Sequence, residues 1–280
     1  MTATVRQLAP HEAGSFLDSA RLGERTLLDV RQDFEYAEGH LPGARHIPLP
    51  ELSERLDELD RSLPVLVYCR SGVRSLAAAN LLAGQGFAEP MSLTGGFLAW
   101  EGGVARGPAD LGMQSLAAVR TVDALLERAW AMELALEALY LELAGRAADP
   151  ERADVFRRLA GFEDKHRRVL SLLWSHYRTS KGEDADVTAF EARARAFASS
   201  TVLEGGVSAN DYMSLMRDPD DSAEAMELAM AVEAQALDLY MRRSMAEADA
   251  ELRARLTLLA EEERSHLKVL GNFVSDRGRL

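Results

Sequence analysis

The sequence predicts two domains of different class. Residues 1–107 read as an α/β domain with a mainly parallel sheet, and residues 108–280 as an all-α four-helix bundle. Three observations predict this. Up to about Arg106, short apolar runs alternate with turn residues and short helical stretches, the texture of a layered α/β domain. After Gly102-Gly103-Val104-Ala105-Arg106-Gly107-Pro108 the strand signals vanish, and from Met113 the chain is rich in Ala, Leu, Glu and Arg with apolar residues every three or four positions. The helical part also repeats one four-residue pattern at a spacing of one hundred positions.

In the first domain Thr26 to Val30, Val65 to Tyr68 and Pro90 to Leu93 read as buried strands. The periodic stretches Glu51 to Leu59 and Ser75 to Gln85 read as helical. The chain has a single cysteine, Cys69, so an internal disulfide and any cysteine-held zinc or iron–sulfur cluster are excluded. Net charge is −13, which argues against general binding to nucleic acid or an anionic membrane. Before Gly107 there are 10 basic and 14 acidic residues; subtraction from the totals of 32 and 45 leaves 22 and 31 after it, so most of the acidity lies in the helical part. Apolar runs stay far below the ~20 residues of a membrane span, and Met1 to Arg6 carries no apolar segment of a secretory signal. A soluble, cytoplasmic protein is expected.

Cys69 ends an apolar run, a place where cysteine is more often core than catalyst. The next residues in the chain shift that balance. Ser71 and Gly72 allow a tight loop, and the helix beginning near Ser75 would aim backbone N–H groups at one point. A thiolate there, flanked by Arg70 and Arg74, is stabilised, and its pKa falls. The same loop, Ser71, Gly72 and Val73, would cradle an oxyanion or a persulfide. Phosphate-ester chemistry usually takes a longer loop; the four residues between Cys69 and Arg74 suit a sulfane sulfur better, which disfavours a phosphatase or arsenate reductase.

Residues 1–107 resemble a rhodanese domain. The matching stretches, in order, are Leu28-Asp29-Val30-Arg31, Glu35-Tyr36, Gly39-His40-Leu41-Pro42-Gly43-Ala44 with Ile47-Pro48, Cys69-Arg70-Ser71-Gly72-Val73-Arg74, and Gly95-Gly96-Phe97-Leu98-Ala99-Trp100. The resemblance implies a sulfurtransferase in which Cys69 takes sulfur from thiosulfate or another sulfane donor and passes it to a thiol or protein acceptor. It also implies that Arg74 and the loop amides hold the anion and that Arg70 lines the entrance. Asp29, Arg31 and His40 would be structural.

In the second domain both halves read E-x6-Y-x22-E-x2-H: Glu133, Tyr140, Glu163 and His166, then Glu233, Tyr240, Glu263 and His266. Stepping by three or four places these carboxylates and imidazoles on the apolar faces of four helices, with Leu125, Leu136, Leu159, Ala229, Leu256 and Leu270 among their neighbours. Glu261 and Glu262 fall on the solvated side. Antiparallel hairpins turning at Ala148-Asp149-Pro150 and at Ala248-Asp249 bring the glutamates level. Four buried carboxylates must either protonate or surround positive charge. Four Glu with two His match a paired-metal carboxylate site, and oxygen and imidazole donors suit iron or manganese.

Residues 113 to about 276 resemble the ferritin-like superfamily, rubrerythrin-type diiron proteins above all, with residues 178–221 as the long crossover. That segment includes a short helix from Val187 to Ser199 and the loop Leu203-Glu204-Gly205-Gly206. The resemblance implies two iron ions and no organic cofactor. Glu133 and Glu233 would be terminal ligands, Glu163 and Glu263 would bridge, and His166 and His266 would each cap one metal. Tyr140 and Tyr240 would hydrogen-bond across the site. An external electron donor and a homodimer through the bundle are implied too. Two features depart from the family pattern: Ala236 stands where an additional glutamate is usual, and no four-cysteine electron-donor module can be present. The expected function joins a sulfurtransferase to a diiron oxidoreductase of peroxidase or ferroxidase type. The alternative is an iron-binding or iron-sensing and sulfur-carrier module without redox turnover.

Overall fold

The computed structural model describes residues 5–19, 23–108, 111, 113, 116–147, 150–197 and 222–277. The chain divides into two compact units, Met1–Asp110 and Leu111–Leu280.

The first unit is a five-stranded parallel sheet in the order β1-β5-β4-β2-β3, with β1 Arg6–Leu8, β2 Thr26–Asp29, β3 Arg45–His46, β4 Pro64–Tyr68 and β5 Glu89–Leu93. Helices α1 (Pro10–Ser19), α2 (Asp33–Glu38) and α3 (Val73–Gly84) connect them. Strand β4 is central, and Val65, Leu66, Val67 and Tyr68 are all buried because helices and turns cover both faces of a parallel sheet. Alternation then sorts the run: Val65, Val67 and Cys69 join one apolar cluster, and Leu66 and Tyr68 the other. Cys69 thus sits just past the carboxyl end of the central strand, where open α/β sheets place their ligands.

Two expectations are corrected here. Glu51 to Leu59 is not an α-helix. It is a string of i→i+3 turns, with 3₁₀ segments at Leu49–Glu51 and Leu56–Glu58. Leu52, Leu56 and Leu59 are buried, so the spacing marked an inward face that 3₁₀ turns serve as well as an α-helix. Helix α3 begins at Val73 rather than Ser75, which moves Val73 and Arg74 out of the loop and into the first helical turn.

The second unit is helical. Its helices are α4 (Val122–Arg146), α5 (Pro150–Ser180), α6 (Val187–Phe197), α7 (Ser222–Ala246) and α8 (Ala250–Arg277). Thr121 caps α4 by accepting from the N–H of Ala124 at 3.2 Å. Leu136, Leu139, Tyr140, Phe156, Leu159, Ala229, Val232 and Leu270 share one core drawn from α4, α5, α7 and α8. Helix α6 is fixed to the α4–α5 hairpin by Arg193–Glu127 at 2.6 Å, by Ser171 donating to Glu191 at 2.9 Å, and by Phe190 stacked on Trp174 at 4.7 Å. The second expected turn falls between Ala246 and Ala250. Ala148 and Asp149 of the first turn, the loop Leu203 to Gly206 and the end of the Val187 to Ser199 helix lie outside the described residues. Among the described residues no helix is long and apolar enough to cross a membrane.

Candidate sulfur site and candidate metal centre

The sulfur site is a loop of four residues, Cys69 to Gly72, between the end of β4 and the start of α3. Gly72 has φ 94°, and a Cβ there would lie 3.1 Å from the Gly95 nitrogen, so only glycine closes this turn without strain. The turn at Gly96–Ala99 presses on the loop from the other side: Phe97 N–H donates to the Cys69 carbonyl at 2.7 Å and Leu98 N–H to the Arg70 carbonyl at 3.0 Å. A Cβ on Gly96 would stand 2.3 Å from the Cys69 carbonyl oxygen.

The N–H of Gly72 donates to Cys69 Sγ at 3.2 Å. Burial opposes ionisation of the thiol, but the N–H groups of Ser75, Ser71 and Gly72 and the Ser75 hydroxyl outweigh it and hold Cys69 below the usual thiol range. A thiolate at a helix N-terminus is the chemical form that attacks sulfur. Nothing in the loop's own residues points to Ser75; the signal for it is its place one turn into the helix behind the loop.

Arg74 is placed differently from expectation. Its Nη1 and Nη2 donate to Glu35 Oε2 and Oε1 at 2.7 and 2.8 Å. Glu35 is the buried partner, held by the Arg74 hydrogen bonds at about 2 despite its burial. Arg74 therefore joins α3 to α2, and its charge still reaches the Cys69 thiolate. Arg70 is exposed and makes no ion pair among the described residues. Arg31 and Asp29 form a buried pair at 2.6 Å, and His40 is buried with its ring stacked 3.7 Å from that of Tyr36. The ion pair expected of Asp29 and Arg31 is present.

The Glu35–Arg74 pair carries a pH prediction. A carboxyl whose folded pKa is near 2 against 4.5 in the unfolded chain adds stability above pH 4.5 and loses it as pH falls toward 2. The melting temperature of Arg74→Gln is expected to fall less steeply than wild type between about pH 5 and pH 3. Parallel curves would show that the pair adds nothing.

In the bundle, Glu133, Glu163 and His166 present ligand atoms within 4.8 Å of one another, and so do Glu233, Glu263 and His266. All four glutamates are buried, and both imidazoles are 17% exposed. His166 Nδ1 lies 3.0 Å from Glu163 Oε2 and 3.6 Å from Glu133 Oε2. His266 Nδ1 lies 3.0 Å from Glu263 Oε2 and 3.2 Å from Glu233 Oε2. The two rings stack with centroids 3.6 Å apart, which sets the triads side by side. Tyr140 and Tyr240 are buried about two helical turns beyond Glu133 and Glu233.

The electrostatics test whether cations fit. Burial disfavours a charged His266, yet its hydrogen bonds to Glu233 and Glu263 push it up to about 11. Burial and the Glu233 charge push Glu163 above the usual carboxylate range. Ion-free, the site thus draws positive charge onto the His266 imidazole and a proton onto the Glu163 carboxylate, while Glu233, despite its burial, is held below the usual carboxylate range by His266. Two cations among six such donors answer both demands, so the residues fit a metal pair.

Glu262 is a correction. Glu261 and Glu262 are half-buried, not solvated, and with His166, Val169, Ser265 and His266 they line an open depression of about 350 Å³. Burial raises the Glu262 carboxyl above its ordinary value although the charges of His266 and His166 oppose this. The helical periodicity put Glu262 on the solvated side of α8; the depression it lines is shared with His166 and Val169 of α5, which α8's own spacing does not show.

The comparisons with known proteins divide along the same line. A family model described as Rubrerythrin matches residues 124–274, more than half of the chain. The chain belongs to the rubrerythrin family. That family implies a non-haem diiron site, and the two carboxylate–histidine triads fall within the matched span. A second model, described as Rhodanese-like domain, matches residues 11–102. The chain is 45% identical over 76 residues to the uncharacterized protein YqhL of Bacillus subtilis, covering 27% of this chain and 60% of that one. It is 42% identical over 79 residues to the putative sulfurtransferase YtwF of Bacillus subtilis, covering 28% and 76%. With the thiosulfate sulfurtransferase GlpE of Actinobacillus pleuropneumoniae it shares 36% over 101 residues, covering 36% and 91%. This rubrerythrin thus carries a rhodanese-like domain ahead of its helical bundle.

Proposed function

We propose that the chain has two active centres, a sulfurtransferase at Cys69 and a non-haem diiron carboxylate oxidoreductase in the bundle. The observation that carries the first is Cys69 Sγ facing the Gly72 N–H at 3.2 Å, with its thiol held below the usual range. The Cys69 thiolate attacks the outer sulfur of thiosulfate; the S–S bond breaks and sulfite leaves with its electron pair. An acceptor thiolate then attacks the terminal sulfur of the Cys69 persulfide and returns the thiolate to Cys69. No net electrons are gained or lost by the protein. Arg70 supplies the exposed cation that meets the incoming anion, and the Ser71, Gly72 and Ser75 N–H groups hold the charge on sulfur.

In the bundle Glu133, Glu163 and His166 would hold one iron and Glu233, Glu263 and His266 the other, with Tyr140 and Tyr240 steadying the carboxylates. Bound there, an iron pair supplies two adjacent redox centres for exchanging two electrons with peroxide or oxygen. Glu262 can hold a proton on its carboxylate at the mouth of the open depression, next to both imidazoles. Since Cys69 is the single cysteine, electrons come from an external donor. Ala236 favours a second reading, iron binding or sensing without turnover, because it removes a carboxylate the peroxide-reducing relatives usually have.

Two assays on the full chain decide. Thiosulfate-to-cyanide sulfur transfer tests Cys69, and absence of any turnover overturns the sulfurtransferase reading. Iron analysis with peroxide and oxygen consumption under a chemical reductant tests the bundle. Two irons with turnover support the oxidoreductase, and two irons without turnover support the second reading. Absence of bound iron overturns both.

A further inference from the structure

We infer that the sulfur on Cys69 is delivered to a cysteine of another protein, held by an apolar collar around the loop, rather than to a small thiol. The inference rests on the sulfurtransferase reading and narrows its acceptor.

Among the described residues of the first unit, the large apolar side chains left exposed are three: Phe34 at 63%, Val73 at 76% and Leu98 at 68%. All three lie on segments that build or brace the Cys69 loop. Leu98 is tied to it directly, its N–H donating to the Arg70 carbonyl at 3.0 Å. Val73 follows Gly72, whose N–H meets Cys69 Sγ. Phe34 precedes Glu35, which holds the Arg74 guanidinium through two hydrogen bonds of 2.7 and 2.8 Å. Scattered exposed hydrophobes are ordinary, but when all those of one unit sit on the segments that build one site, that site's surface is marked as one made to be covered.

The occupant is set by chemistry. Cys69 is the only thiol in the chain, so the acceptor sulfur belongs to another molecule. Cyanide or a small hydrophilic thiol has no apolar area to place against Phe34 and Leu98. A protein segment with a cysteine among apolar residues does, and burial of such side chains supplies binding in proportion to area. Exposed Arg70, without an ion pair among the described residues, calls for a carboxylate beside that cysteine. Asp33, next to Phe34, is directed instead at His46, 3.8 Å away.

The test loads the full chain with thiosulfate and compares four acceptors by kcat/KM. They are cyanide, glutathione, a synthetic peptide with one cysteine among leucines and an aspartate, and the same peptide with serines for leucines. The leucine peptide is expected to exceed glutathione and the serine peptide by about tenfold or more. Phe34→Ser with Leu98→Ser should remove that advantage while cyanide transfer stays within about twofold, since exposed substitutions disturb folding little. Phe34→Leu with Leu98→Met should restore it. Equal use of glutathione and both peptides by wild type overturns the collar, as does a serine double variant that keeps the preference. If wild type transfers nothing to cyanide, the sulfurtransferase reading itself has failed, and the collar with it.

Discussion

Cys69→Ser is expected to cut sulfur transfer from thiosulfate by about three orders of magnitude or more, with the fold retained. At about 1.36 kcal/mol per decade, that is a loss of about 4 kcal/mol in transition-state stabilisation. The reason is the atom itself. A serine hydroxyl stays protonated at neutral pH and cannot carry a sulfane sulfur. The Cys69 thiol, by contrast, is drawn toward its anion by the Ser75, Ser71 and Gly72 N–H groups and the Ser75 hydroxyl. The exchange leaves the loop an acceptor for the Gly72 N–H, and the backbone bonds from Phe97 and Leu98 do not involve the side chain. The melting temperature is therefore expected within a few degrees of wild type, as for other changes of about 1 kcal/mol. Loading of the wild type should rise with pH and level off below the range of an ordinary thiol. Ser75→Ala should move that midpoint upward because one donor to the anion is lost. A serine variant that keeps more than about a tenth of the activity would place the sulfur elsewhere.

Much of this site is local in sequence, and that is why it could be read there. The run Val65 to Tyr68 is apolar on both faces because β4 is covered on both, and the residue after it is necessarily at the sheet's carboxyl end. Helix α3 starts at Val73, two residues ahead of its expected start. Gly72 at φ 94° closes the turn early, and a backbone angle leaves no mark beyond the glycine itself. The Glu35–Arg74 pair spans 39 positions and joins two helices, so no local pattern announces it. Strands β1 and β3, of three and two residues, are too short for alternation to show; they are specified by pairing with β5 and β2. In the bundle the reverse holds. The repeated spacing carries the helical period and the hairpin symmetry together, so spacing alone pairs Glu133 with Glu163 and Glu233 with Glu263. Glu262 escaped that logic because the depression it lines is shared with His166 and Val169 of α5, a different hairpin from its own.

The bundle makes the second large prediction, and its sign depends on whether metal is present. Glu163→Ala with Glu263→Ala is expected to abolish stoichiometric binding of two irons, because each triad loses a buried oxygen donor. Wild type loaded at about a thousand times its dissociation constant gains about 4 kcal/mol, and at about 2–4 °C per kcal/mol its melting temperature should rise by about 10 °C. The double variant should show no such rise. Loss of a rise alone could reflect a damaged core, so Glu163→Gln is the sharper variant. The Glu163 carboxyl is already pushed above its usual range by burial and by Glu233. In the ion-free chain, glutamine of the same shape therefore removes an unfavourable charge and leaves the neighbouring core of Leu159 and Ala160 untouched. Its ion-free melting temperature is expected at or above that of wild type, whereas after iron loading it should fall below, since a neutral amide is a poor ligand for a hard cation. Differential scanning calorimetry with metal analysis reads both orders in one experiment. An inversion on loading means the four carboxylates are gathered for cations rather than for the fold. Full two-iron occupancy in the alanine double variant would mean that the metals bind elsewhere.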